Sequence, residues 1–130
     1  MRVFLDTNVL VSAYATHGLC AGLYECLLVR HEVVIGEPVI VEVLDVLRLK
    51  FKAGEDMLVR VEAELRLLEV IPAQPSAPRL PIKDNEDPWI VACALAGGVD
   101  CFVTGDGELL ELVQVGRMPV ISPRVCWEML

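Results

Sequence analysis

Five short apolar runs punctuate the chain, at residues 2–5, 32–36, 68–71, within "DCFVTGD" and in "PVIS", and segments with apolar residues at helical spacing separate them. Strands that alternate with helices along a whole chain imply a parallel sheet covered by helices, so the fold class is α/β. The helical segments have readable ends. One runs over 9–29 with an interruption near His17-Gly18, and Pro38 suits the first turn of a helix reaching about Phe51. Gly54 breaks that helix, and "EDMLVRVEAELRLL" restarts one with acidic residues in its first turn. Pro88 starts a further helix that Gly97-Gly98 ends, "GELLELV" reads as a short helix, and "PRVCWEML" as a terminal one.

The chain has 130 residues, the size of one core, and residues 1–130 are expected to form a single domain. Hydrophobic residues make up 55% and charged residues 23%, a balance that suits a sheet buried on both faces and leaves room for an apolar oligomer contact. No run resembles a membrane span, since "EPVIVEVLDVL" and its like carry a charge every few residues. Asp6 interrupts the first apolar stretch too early for a signal peptide, so a cytoplasmic protein is expected. Four prolines, Pro72, Pro75, Pro78 and Pro81, recur at every third position. That spacing matches a polyproline II turn, read as an extended surface connector in preference to an SH3-type ligand.

Cys20, Cys26, Cys93, Cys101 and Cys126 are odd in number, form no CxxC pair and stand mostly among apolar neighbours. With only His17 and His31 to join them, they read as reduced core thiols, and zinc is not expected. A net charge of −8 argues against nucleic-acid binding through a basic face, but not against a site where a divalent metal supplies the positive charge. The densest basic stretch, "RLKFK", carries Arg48, Lys50 and Lys52. It reads either as a solvated helix end, where cations are favoured, or as a phosphate contact.

In "VFLDTNVL", Asp6 follows an apolar run that reads as a buried strand. It is a good helix cap, and it also sits where ligands gather in a parallel sheet, at a strand's carboxyl end. Asp106 ends the fourth strand and Asp87 opens a helix near Asp84, with turn and cap readings beside the functional one. Glu42 lies at the edge of the stripe defined by Val39, Ile40, Val43 and Leu47, and no basic residue stands a helical turn away. If four such carboxylates converge, each pair about 4 Å apart repels by roughly 4 kcal/mol at an effective dielectric of 20. They must then take up protons or a cation, and hard oxygen donors with few histidines favour Mg²⁺ or Mn²⁺.

"FLDTNVLVSA", "VIVEVLDVL", "KDNEDPWIVACALAGGVD" and "FVTGDGELL", in that order, resemble the PIN-domain ribonucleases, in particular the small single-domain members that include the VapC-type toxins. The resemblance implies a three-layer α/β/α sandwich with a five-stranded parallel sheet. It also implies hydrolysis of RNA to a 5′-phosphate and a 3′-hydroxyl with Mg²⁺ or Mn²⁺, a homodimer, and a cognate antitoxin. Matched motif by motif, Asp6, Glu42, Asp87 and Asp106 fall on the metal-site acids, and Asn8 and Thr104 on positions that hold carboxylates by hydrogen bonds. Asp84 is an auxiliary ligand or a cap, and Trp89 a core side chain or a base-stacking platform. Two other readings stand beside this one. A haloacid-dehalogenase-like phosphatase would need a second acid where Asn8 stands and would leave Glu42 without a role. A non-catalytic PIN-like interaction module would bind metal weakly.

Overall fold

Val3, Phe4 and Leu5 are wholly buried in β1 (Arg2–Leu5), which lies inside the sheet in a computed structural model that describes all of residues 1–130. α1 (Thr7–Ala15) and α2 (Leu19–Arg30) lead to β2 (Glu32–Gly36), and α3 (Glu37–Lys50) and α4 (Glu55–Arg66) lead to β3 (Glu69–Ile71). The proline-rich connector then delivers the chain to α5 (Asp87–Ala96) and β4 (Cys101–Val103), followed by α6 (Gly107–Glu111). β5 (Gln114–Val115), β6 (Met118–Ile121) and α7 (Pro123–Met129) complete it.

The strand order is β3-β2-β1-β4-β6-β5. β3, β2, β1, β4 and β6 pair in parallel, with Val3 opposite Val33 on one side and Cys101 on the other. The expected five parallel strands are therefore present, but the sheet has six: β5 adds an antiparallel edge to β6. Two residues are too few to show strand alternation in a sequence, and the turn beyond them depends on Gly116 at φ +59°. The first helix begins at Thr7, two residues before the expected start, because Asp6 caps it.

From β1 the chain builds outward to β2 and β3, then returns across β1 to β4 and β6. α1 packs against α2 and α3, α3 against α4, and α5 against β2 and β3. The direction reverses between β1 and β4, and at their carboxyl ends such a reversal opens a crevice.

One core cluster of 30 buried residues draws on both faces of the sheet. Val39, Ile40, Val43 and Leu47 form the buried side of α3. Gly36 allows α5 to approach β2, since a Cβ there would stand 2.8 Å from Cys93 Cβ and Sγ. Cys93, Cys101 and Cys126 are buried free thiols, and Cys20 and Cys26 are partly buried ones. At the amino ends of the strands Arg2 bonds Glu32 at 2.9 Å and Glu69 at 2.7 Å. No helix is long and apolar enough to cross a membrane.

Candidate functional site

The crevice between β1 and β4 holds a cavity of about 570 Å³, the largest in the molecule. Asp6, Glu42, Asp84, Asp87 and Asp106 all line it. None of the five forms an ion pair, whereas the acids at the opposite end of the sheet are matched by Arg2.

Asp6 is 3% exposed and is held from three sides. Its Oδ1 accepts from the Thr7 backbone N–H at 2.8 Å, and its Oδ2 accepts from Thr104 Oγ1 at 2.8 Å and Asn8 Nδ2 at 3.2 Å. The Asp6 backbone N–H donates to the Val103 carbonyl at 3.0 Å, fixing the end of β1 to β4. Asn8 also accepts from the Gly105 N–H through Oδ1 at 2.8 Å, so it bridges the two strand ends. Thr104 is wholly buried, and its Oγ1 accepts from the Asp106 N–H at 3.0 Å. Cap and cavity-lining roles coincide at Asp6 and at Asp106, whose Oδ1 accepts from the Glu108 and Leu109 N–H groups at 2.8 and 3.3 Å.

Glu42 is half-buried, and its Oε1 accepts from Thr7 Oγ1 at 2.7 Å. Asp84 is exposed; its Oδ1 accepts from the Glu86 N–H at 2.7 Å, which makes it a turn residue that also faces the cavity. Asp87 is not the cap of α5. Glu86 holds that position without a side-chain bond, and Asp87 is the first helical residue, 9% exposed.

Burial pushes the Asp87 carboxyl up to about 7, and the charges of Asp6, Asp84, Asp106 and Glu42 add to the effect. Burial also raises Asp6, against the opposing hydrogen bonds from Thr104 and Thr7, and the Asp106 charge raises it further. Glu42 is raised by burial, lowered by the Thr7 hydroxyl, and raised again by the neighbouring negative charges of Asp6 and Glu86. An arrangement that pushes the Asp6, Glu42 and Asp87 carboxyls upward together is one that a cation stabilises.

The donor set is chemically suited to a hard divalent ion, being all carboxylate oxygen with no histidine or cysteine in the cavity. In the conformers present, no three Asp, Glu, His or Cys side chains are grouped to hold a metal ion.

Of the basic candidates, Lys50 lines the cavity. Arg48 pairs with Asp45 at 3.3 Å, and Lys52 is exposed at φ 53° outside the lining. Trp89 is not a core side chain: it is 43% exposed, because the first turn of α5 turns Asp87 and Ile90 inward. Sequence reasoning passed over Thr7, Phe51 and Glu86. Their signals were a hydroxyl inside D-x-N, an aromatic at a helix end, and a third acid beside Asp84 and Asp87 in "DNED".

A family model described as PIN domain matches residues 2–108. A crystal structure of VapBC2 from Rickettsia felis bound to a DNA fragment from their promoter is similar in fold, with a TM-score of 0.67 at 19% sequence identity. The match covers 94% of this chain and 98% of that one. A comparison with curated proteins finds no match.

Proposed function

The chain belongs to the PIN domain family, whose members are generally nucleases that use divalent metal ions, and from that membership we propose that it is a Mg²⁺- or Mn²⁺-dependent endoribonuclease. The observation that carries the reading is the gathering of five carboxylates without a cationic partner at the sheet's reversal point. Asp6, Glu42, Asp87 and Asp106 are the proposed metal-holding and catalytic residues, with Asp84 as an auxiliary ligand. A divalent ion bound there supplies charge neutralisation and an activated water for hydrolysis of the phosphodiester.

The remaining roles belong to the chain itself. Thr104 and Asn8 orient the Asp6 carboxylate, and Thr7 orients that of Glu42. Asp87 holds a proton near neutrality and gives it up when a cation arrives. Lys50, which lines the cavity, meets backbone phosphate, and Arg48 and Lys52, two residues either side of it in sequence, are further candidates for phosphate contact. Asn8 is bonded at both ends of its amide, which supports a positioning role and speaks against the phosphatase alternative, where an acid would act at that place.

The fold shared with a chain of the VapBC2 structure supports a further step: residues 1–130 act as one domain, a cytoplasmic toxin component that forms a homodimer and is neutralised by a cognate antitoxin. One observation favours the non-catalytic module, namely that no three carboxylates are grouped around one point. Cleavage of a mixed RNA pool by the wild type with Mn²⁺, by the wild type with EDTA, and by Asp6→Asn separates the readings. The nuclease cuts only in the first case. Metal-independent cleavage or full activity of the variant refutes it, hydrolysis of a small phosphomonoester but not RNA selects the phosphatase, and inertness toward both with normal folding and metal binding selects the module.

A further inference from the structure

A second cavity, of about 370 Å³, adjoins the carboxylate cavity and shares Glu42 with it. Pro38 and Val41 of α3, Ala73 just beyond β3, and Glu86 and Trp89 at the start of α5 form its walls. Its volume is within the range of ligand-binding pockets. Trp89 is 43% exposed and Val41 58%, so apolar faces are held in water beside a strongly polar site. An indole presented this way offers a flat face to a base that has left its own stack.

The polar groups of this cavity narrow the occupant. Glu37 is engaged by Arg66, whereas the exposed Glu86 has no ion pair. The bond from its N–H to Asp84 Oδ1 fixes its backbone. A carboxylate accepts hydrogen bonds and donates none. Among the bases, guanine alone carries two adjacent N–H donors, N1–H and N2–H, on its Watson–Crick edge; the others place an acceptor beside their single donor. We propose that this cavity receives an unpaired guanine of the RNA, stacked on Trp89 and read by the Glu86 carboxylate. The assignment rests on the nuclease reading above and deepens it: the phosphate next to that guanine lies in the carboxylate cavity, reached past Glu42. A base inside a duplex exposes neither its face nor that edge, so the substrate is single-stranded at this nucleotide.

The first test does not depend on cleavage. The chain has two tryptophans, and Trp127→Phe identifies the Trp89 indole N–H resonance in a ¹H–¹⁵N spectrum. With Mg²⁺ present, guanosine 5′-monophosphate is expected to shift that resonance at concentrations where uridine, cytidine and adenosine monophosphates leave it in place, and Glu86→Gln to remove the difference. The second test uses the full chain on single-stranded oligoribonucleotides that contain one guanine. Trp89→Ala is expected to raise KM by about fivefold or more, the scale of one lost stack, with kcat little changed. No Trp89 response to any nucleotide, an equal response to all four, or a Trp89→Ala variant with unaltered KM overturns the proposal even if metal-dependent cleavage persists. A Trp89 response to guanosine monophosphate in a chain that cleaves no RNA supports the guanine site and removes the nuclease reading instead.

Discussion

Thr7 donates its hydroxyl hydrogen to Glu42 at 2.7 Å and thereby joins the first turn of α1 to the inner edge of α3. Thr7 is buried at 8% exposure, so the Thr7→Val variant leaves a methyl group against a half-buried carboxylate. The lost bond is expected to destabilise the protein at pH 8 by about 1–3 kcal/mol, while Thr7→Ser keeps the donor and stays close to wild type. Urea unfolding of both variants checks this, and equal stabilities contradict it.

Asp87 lines the cavity at the expense of the fold. Its carboxyl, pushed up to about 7, is charged at pH 8 in surroundings that favour the neutral form. Asp87→Asn is therefore expected to stabilise the chelated protein at pH 8 by roughly 1–4 kcal/mol. The same change is expected to lower metal-dependent cleavage by about a hundredfold or more, since it removes a proposed ion ligand. A variant that is both less stable and fully active contradicts both parts.

The pH dependence of the chelated protein follows from the same group. A carboxyl raised from 3.8 to about 7 keeps its proton in the folded state over a range in which the unfolded chain has lost it. Stability from this source is fully present below the unfolded value, falls as pH rises toward 7, and is level above it. Asp6 and Glu42 are raised in the same sense. Glu69, lowered by Arg2, acts oppositely and only in the acid range, its contribution being lost as pH falls. In EDTA the melting temperature should decline between pH 5 and 7, and Mg²⁺ should restore it most at the higher pH. Parallel profiles with and without Mg²⁺ contradict this.

The positions of Asp6 and Glu42 show what a sequence can carry here. Apolar runs that end in an acid mark strand ends, and the register of Val39, Ile40, Val43 and Leu47 puts Glu42 at the helix edge, because both rest on periodicity. Pro38 and Pro88 each fall in the first turn of a helix because proline has no N–H to lose there. What periodicity does not carry is direction at the first turn of a helix. Asp87 and Trp89, two residues apart, point to different surroundings, and only the packing of α5 against β2 and β3 decides which is buried. The Thr7 to Glu42 bond spans 35 residues, and no local pattern announces it. β5 went unread because two residues hold no alternation.

Gly36 separates packing from chemistry. A methyl group there meets Cys93 Cβ and Sγ at 2.8 Å, and Cys93 is wholly buried. Gly36→Ala is expected to destabilise the protein by about 1–3 kcal/mol through overpacking between β2 and α5. Metal affinity and cleavage should stay near wild type well below its melting temperature. An unchanged melting temperature contradicts the packing argument.

Carboxylates from distant segments share one cavity, and the proposed function requires a hard divalent ion to neutralise them there. Crystals soaked in Mn²⁺ and recorded at the manganese edge test it directly. An anomalous peak is expected in the cavity between Asp6, Asp87 and Asp106, with those side chains and Glu42 drawn toward it. A map with no peak there, and Glu42 still bonded only to Thr7, contradicts it.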